Sequence, residues 1–384
     1  MKKNSTPKWT MGLDVGKRNT NYAIGEGDRG GIRLVSEGVV KTTTEALEDL
    51  LGGRKPMRVV LEVGRQSPWI SRQLKKLGHE VIVADARKLA LIYKSQKKND
   101  REDARKLMEL GHIDPELLSP IQHRSEKTQI ELASMRSRDA AVTARTSLIN
   151  HVRGACAAVG VTLESCSAPT FHKRMAERIP KSLQGAMVPL LKLIEESTST
   201  IRQYDAQLEQ LATKHPATEQ LRQVAGVGPL TALCFVLTIE KPERFERSRE
   251  VGPYLGLVPR QDDSGDSRKQ LGISKAGDKM LRRLLVSSAQ YILGPFGPDT
   301  DLQRWGKKLA ERGGKNAKKR AVVAVARRLA VLLHSLWVTK KPYEPLRQAD
   351  AEQAKTGKRE RRYKVNRDSK FEEKPKSLSA QESA

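Results

Sequence analysis

The first 84 residues hold five short β-prone runs in an uneven order. Three come back to back, at 11–16 (MGLDVG), 21–25 (NYAIG) and 32–40 (IRLVSEGVV), separated by polar or Gly-rich turns. Two more, Met57–Val63 (MRVVLEV) and Val81–Ala84, alternate with helix-type segments around Thr44–Leu51 and Pro68–Leu77. Three strands followed by alternating helix and strand predict a mixed α/β sheet that opens as a hairpin meander.

The character changes near Ser125, where long helical patterns begin. Within 186–212, Met187, Leu190, Ile194, Ile201, Leu208 and Leu211 recur in steps of three, four and seven, with Tyr204 on the same seam. This is a heptad pattern, interrupted by Pro189 and Ser197. Two structures satisfy it: an amphipathic helix packed inside one chain, or a dimerisation arm between two catalytic pieces. A second globular region follows over 217–338. The expected division is a basic tail at 1–10, an α/β domain at 11–124, a helical, coiled-coil region at 125–216, a mainly helical domain at 217–338 and a disordered charged tail at 339–384. From Pro342 onward the chain is rich in Lys, Arg, Glu, Gln and Ser without apolar periodicity.

Charge narrows the partners. The 384 residues carry 71 Lys+Arg against 45 Asp+Glu, a formal net charge of +26. Such an excess repels itself unless a polyanion neutralises it, and nucleic acid gains further from counterion release. No apolar run approaches the roughly 20 residues that span a bilayer, and no apolar segment follows the basic start MKKNSTPKWT. A cytoplasmic, nucleoid-associated protein with no membrane partner is expected. Cys156, Cys166 and Cys234 lack CxxC spacing and read as buried hydrophobes, not as a disulfide framework or zinc site.

Four acids stand where acids are costly or paired. Asp14 interrupts the first apolar run, and Glu62 ends another. Asp100 and Asp103 lie three apart at the start of a helix pattern, so both project from one face. Four converging carboxylates can hold two Mg²⁺ ions about 4 Å apart for in-line attack on a phosphodiester. Each acid also has a plainer role: Asp100 and Asp103 follow Asn99, a good cap, and acids suit a first helical turn. Asp14 also suits a turn, and Glu62 an exposed strand end.

Further along, Ser264 and Gly265 centre the segment Gly256–Leu285, read as a polar loop before a basic helix. A serine can attack phosphorus if its oxygen is exposed and cations stabilise the developing charge. Arg260, Arg268, Lys269 and Lys275 could do so. Ser267 and Ser274 are rival nucleophiles, and Ser274 also reads as a cap or phosphate contact ahead of the next helix. Gly226, Gly228 and Pro229 make a tight turn whose N–H groups can hold a DNA phosphate at a helix start. Lys315, Lys318, Lys319 and Arg320 cluster at the start of a basic helix within Arg312–Arg328, a second phosphate-contacting candidate.

Asp14 in GLDVGK, Glu62 in VVLEVG, Asp100 and Asp103 in KNDREDAR, then VAGVGPLTA, YLGLVPR, the Ser-Gly pair and GISKAGDKMLRRLL resemble the DEDD transposases of insertion-sequence family one-ten. The resemblance runs from Met11 to about Trp337. Two departures stand out: K-N-D replaces the usual K-T-D, and Asp266 and Ser267 replace a glycine-rich stretch. The resemblance implies a ribonuclease-H-like (RuvC-like) amino-terminal domain with Asp14, Glu62, Asp100 and Asp103 as Mg²⁺ ligands. It implies a coiled-coil region, then a smaller domain whose Ser264 forms a covalent phosphoserine link to DNA. It also implies a structured noncoding bridge RNA that pairs with donor and target DNA, and homodimers assembled into tetramers. Two other readings remain open: a RuvC-like, Holliday-junction-type endonuclease using metal-activated water, and a non-catalytic nucleic-acid-binding protein that keeps the fold.

Overall fold

The computed structural model describes residues 7–28, 30–85, 99–264 and 267–347, with side chains omitted over 263–270. The chain divides into two units, Met1–Ser125 and Glu126–Ala384.

The first unit is built on one five-stranded sheet, ordered β3-β2-β1-β4-β5. Its strands are β1 (Trp9–Val15), β2 (Asn19–Asp28), β3 (Gly31–Lys41), β4 (Arg58–Glu62) and β5 (Glu80–Ala84). The first three pair antiparallel, whereas β4 joins β1 and β5 in parallel. Helices α1 (Thr44–Leu51) and α2 (Ser67–Lys76) supply the crossovers. Side chains alternate across a strand. Met11, Leu13, Val59 and Leu61 thus join Leu47, Leu51, Ile70 and Leu74 in one core. Fully burying each such leucine contributes roughly 1.5–3 kcal/mol. The opposite face receives α3 (Asp100–Ile113), which packs Ala104 and Met108 on Ala23, and Leu107 and Leu110 on Val60 and Ile82. The expected basic tail gives way to strand at Trp9, two residues before the predicted start.

The second unit opens with α4 (Glu126–Ala158), continues through a short α5 (Phe171–Met175) and returns along α6 (Lys181–Thr213). Arg138 Nε donates to Asp205 at 2.6 Å and Arg145 Nη1 to Thr198 at 3.2 Å. Seven residues up one helix match seven down the other, an antiparallel pairing in heptad register. Met187, Leu191 and Ile194 join Ile149, Val152 and Cys156 in one cluster, while Leu208 joins Leu132 and Met135 in another. Of the two structures the heptad pattern allowed, the helix packed inside one chain is the one formed: the seam is filled by the chain's own α4. A heptad pattern specifies a helical partner, not which chain supplies it.

The remaining elements surround a second core: α7 (Pro216–Arg222), α8 (Pro229–Ile239), α9 (Val251–Tyr254), α10 (Lys279–Leu293), α11 (Asp301–Glu311) and α12 (Ala317–Thr339). Strands β6 (Pro259–Ser264) and β7 (Ser267–Ile273) form a hairpin between α9 and α10. By length and composition α12 could cross a membrane, contrary to the sequence reading. Here Ala321, Val325, Leu329 and Leu333 are buried at helical spacing in the core. His334 is buried beside them: its Nε2 donates to the Pro242 carbonyl and its Nδ1 pairs with the Ser248 hydroxyl, both at 3.0 Å. The expected charged tail starts later than 339. Tyr343 N–H donates to Gln223, and Asp301 N–H donates to the Pro345 carbonyl at 2.8 Å. Residues 348–384 of that tail lie outside the described residues.

Because Ile201 and Leu208 are 4% and 2% exposed against their own chain, Ile201→Asp with Leu208→Asp is expected to destabilise the fold by about 4 kcal/mol or more. Thermal unfolding checks this. Full stability with a halved mass by light scattering would restore the interchain seam.

Candidate functional site

Asp14 and Glu62 occupy equivalent positions on neighbouring strands. Leu13 pairs with Leu61 across the parallel β1–β4 ladder, so the next residue of each strand is an acid at the sheet's carboxyl edge. Leu13 and Leu61 point into the α1/α2 core. Gly12 and Val60 face α3, and alternation sends Asp14 and Glu62 to that same side. Asp14 is half-buried there and Glu62 exposed.

Helix α3 runs opposite to β1. Ala104 lies over Gly12, while Gly111 lies near Thr10 and Val60. A Cβ on Gly12 would stand 2.0 Å from the Ala104 carbonyl oxygen, so only glycine admits this approach. At the far end the buried Arg58 donates through Nη1 to the Gly111 carbonyl at 2.9 Å, which suits a cation near a helix C-terminus. Midway, Arg105 grips Glu37 of β3 through two bonds, at 2.6 and 2.8 Å, and this hydrogen bonding holds the Glu37 carboxyl below its ordinary range. These anchors set the first turn of α3, with Asp100 and Asp103, at the Asp14 end of the sheet.

Asn99 Oδ1 caps that turn by accepting from Arg101 N–H at 3.2 Å, as the plainer reading anticipated. Asp103 stands 3.8 Å from Lys106 Nζ. Among the described residues, no three His, Cys, Asp or Glu side chains stand close enough together to hold a metal ion between them. The four acids are gathered at one end of one face without closing into a cage.

Sequence reasoning missed the groups that support this edge. Gln66 Nε2 donates to the carbonyls of Gly16 and Lys17, at 3.2 and 3.0 Å, and its Oε1 accepts from Trp69 Nε1. The turn after Asp14 is thereby fastened to the turn after Glu62. Ser67 Oγ accepts from Gly64 N–H and pairs with His123 Nε2 at 2.9 Å. Neither residue carries a sequence signal, because a polar side chain bonded to loop carbonyls leaves no periodicity. Burial lowers the His123 pKa, and Arg72, Lys75 and Arg124 lower it further.

In the second unit, Gly226 takes a left-handed φ of 81° that turns the chain from α7 into α8. The turn rests on α10: a Cβ on Gly226 would lie 3.0 Å from the Tyr291 ring and 3.1 Å from the Ser288 carbonyl. Gly228 occupies the N-cap of α8 and offers no side-chain cap. A cavity of about 470 Å³ opens there, bordered by Arg222, Gly226, Gly228, Thr231, Ser287 and Tyr291.

Ser264 of the expected Ser-Gly loop ends β6 opposite Ser267 of β7, with Arg268 and Lys269 opposite Asp263 and Asp262. The polar alternation of QDDS and SRKQ hid these strands. Gly265 lies outside the described residues, as do the side chains of Ser264, Arg268 and Lys269. Arg260 is exposed where the register shifts, and Lys275 is exposed at a φ of 56°. Ser274 does not cap the following helix. Its N–H bonds the Val258 carbonyl, and Asp278 caps α10 through Leu281 N–H at 2.9 Å. Lys315 precedes α12, and Lys318, Lys319 and Arg320 stand exposed in its first turn, which has no acid.

The chain matches two family models: one described as Transposase, the DEDD model of IS110, over residues 11–158, and one described as the Transposase IS116/IS110/IS902 family over residues 218–300. It is 32% identical to the transposase for insertion sequence element IS1111A of Coxiella burnetii, over 65% of this chain and 70% of that one. The chain belongs to the IS110 family of insertion-sequence transposases. It is an enzyme that cuts and rejoins DNA. The transposase is also 28% identical to the IS1328 transposase of Yersinia enterocolitica, over 74% and 83% of the two chains. A third relative is the pilin gene-inverting protein of Moraxella bovis, 27% identical over 39% and 47%. The first matched segment contains all four acids, and the second contains Gly226, Gly228 and Ser264.

Two outcomes follow for this transposase. Gly12→Ala is expected to push α3 off the sheet and abolish DNA cleavage, read on a strand-cutting gel beside a circular-dichroism melt. Wild-type cleavage by Gly12→Ala would show that α3 need not sit so close. Burial also lowers the His79 pKa. With His79 and His123 both below the ordinary 6.5, the folded protein resists protons that the unfolded chain accepts. That stability is complete above 6.5 and lost as pH falls through the lower folded values. Melting points between about pH 7.5 and pH 5 should fall, and His123→Gln should flatten the slope. An unchanged slope in that variant would exclude His123 as a source.

Proposed function

We propose that this transposase recombines donor and target DNA through two separated sets of groups: the carboxylates Asp14, Glu62, Asp100 and Asp103, and the hydroxyl of Ser264. The observation that carries the reading is the gathering of four acids at one edge of one sheet face, in a chain of net charge +26. Like charges so grouped repel one another unless a cation joins them, and an all-oxygen donor set suits a hard divalent ion such as Mg²⁺. Bound there, it would neutralise charge on the scissile phosphate. Asp14 and Glu62 would hold it from the sheet, and Asp100 and Asp103 from the helix.

Ser264 attacks phosphorus, forming a Ser–O–P ester and releasing one DNA hydroxyl end. Attack on that ester by the hydroxyl of a second strand frees the serine and rejoins the DNA, with no net hydrolysis. The cations Arg260, Arg268, Lys269 and Lys275 near the hairpin stabilise the developing charge on the phosphate oxygens. The turn at Gly226 and Gly228 and the group Lys315, Lys318, Lys319 and Arg320 hold flanking phosphates. Lysines at a helix N-terminus oppose the macrodipole and favour an anion beside them. A structured noncoding RNA pairs with the donor and target, and homodimers assemble into tetramers. With the α4–α6 seam filled, that assembly uses other surfaces, such as the exposed Val188 and Leu193 of α6.

Asp14→Ala and Ser264→Ala test the two sets. On a nicked suicide DNA, Ser264→Ala should yield no covalent protein–DNA adduct on a denaturing gel, while Asp14→Ala should neither cut nor join yet still bind DNA. An adduct that persists in Ser264→Ala but disappears in Ser274→Ala moves the nucleophile. Cleavage without any adduct from the wild type replaces the serine with metal-activated water. Unimpaired recombination by Asp14→Ala removes the carboxylate reading.

A further inference from the structure

Phe296 is 83% exposed, while Phe171 and Phe235 are fully buried. Single exposed apolar residues are common, so exposure alone says little. The turn that carries this one is fixed in place. Gln303, itself 4% exposed, donates through Nε2 to the carbonyls of Ile292 at 3.0 Å and Gly297 at 2.8 Å. Gly297 sits so close beneath that a Cβ would lie 2.2 Å from the Ile292 oxygen. Arg304 grips Asp299 through two bonds, at 2.7 and 2.6 Å. Pro295 and Pro298 flank the ring and limit its backbone further. A buried glutamine, a close-approach glycine and an ion pair together hold a phenyl ring out in water.

What lies beside the turn gives the ring a partner. Tyr291 and Ile292, which the turn folds against, also seat Gly226 at the start of α8. Tyr291 is 48% exposed and borders the cavity there. Backbone amides at a helix start suit a phosphate, and an adjacent rigid aromatic face suits the base of the same strand. A base that has left the stack, as at a break or junction, has a free face that an outward ring can cover.

We propose that Phe296, carried on the turn that folds back onto Tyr291, is a stacking platform for an unpaired base of the DNA substrate, near a phosphate held at the Gly226–Pro229 turn. The position given to the base rests on reading that turn as a phosphate seat, the stacking itself does not, and the test separates the two. Full-length protein is titrated with a duplex carrying one bulged 2-aminopurine and with the fully paired duplex. Wild type should prefer the bulged duplex about tenfold, the range of one base–aromatic stack, and quench the 2-aminopurine. Phe296→Ala should lose both the preference and the quench without change in melting point, and Phe296→Trp should retain them. Ser287→Asp, which places a negative charge in the cavity, should weaken both duplexes alike. If Ser287→Asp has no effect while Phe296→Ala does, the phosphate seat fails and the stacking platform stands. Equal affinity of wild type for the two duplexes overturns the proposal, as does a Phe296→Ala protein that keeps the preference. Altered mass by light scattering with unchanged DNA affinities assigns Phe296 to a contact between copies, and also overturns it.

Discussion

The contact between the Ala104 carbonyl and the bare α-carbon of Gly12 determines how the first unit can work. It lets α3 lie against the middle strand of the sheet and not a side chain's width above it. The helix is then anchored where it matters: Arg58 on the Gly111 carbonyl fixes its position along the axis, and Arg105 on Glu37 fixes its rotation. With position and rotation set, the first turn of α3 has one place to go, the edge where β1 and β4 deliver Asp14 and Glu62. The acids are directed to one end of the sheet by backbone geometry and by cations farther along the helix, not by attraction among themselves.

Much of this was legible because the relevant signals are local. Asp14 within an apolar strand and Glu62 at the end of another are visible as single exceptions to a hydrophobic run, and the same runs located the strands without fixing their ends. The paired acids were visible through Asn99, whose cap marks the start of α3. What was not legible depends on distant partners. The apolar spacing of α6 left its partner open, because that identity is a tertiary fact, written in Arg138 and Arg145 on α4 and in no spacing within α6 itself. The hairpin around Ser264 was hidden because QDDS and SRKQ contain no apolar residue, leaving nothing for a period of two to display in the sequence. Ser274 was mistaken for a cap because Asp278, four residues on, meets the same chemical description and wins.

The charge of the second unit sets a different constraint. Several of its cations are already engaged: Arg138 with Asp205, Arg222 with Glu209 and Arg304 with Asp299. Such pairs are locally neutral and contribute little to a field felt by DNA. The cations at the start of α12 differ, because the first turn holds no acid and the helix dipole adds to their positive potential. An arrangement that slightly destabilises the isolated helix is the one that most favours a bound phosphate. Local stability and local affinity therefore have opposite signs at this helix.

The same opposition explains why the plain and the catalytic readings of Asp100 and Asp103 do not compete. Acids in a first helical turn are stabilised by the helix dipole, each by a few tenths of a kcal/mol to about 1 kcal/mol. That term offsets part of the repulsion from bringing two more carboxylates to the same edge on β1 and β4. A helix start is thus among the least costly places to keep paired acids ionised and close to other acids before any cation arrives. Had α3 met the sheet in the opposite direction, its carbonyl end would have faced Asp14 and Glu62, and the dipole would have added to the repulsion. The Gly12 contact and the Arg58 anchor fix that direction, and the dipole accounts for why it suits a cluster of acids.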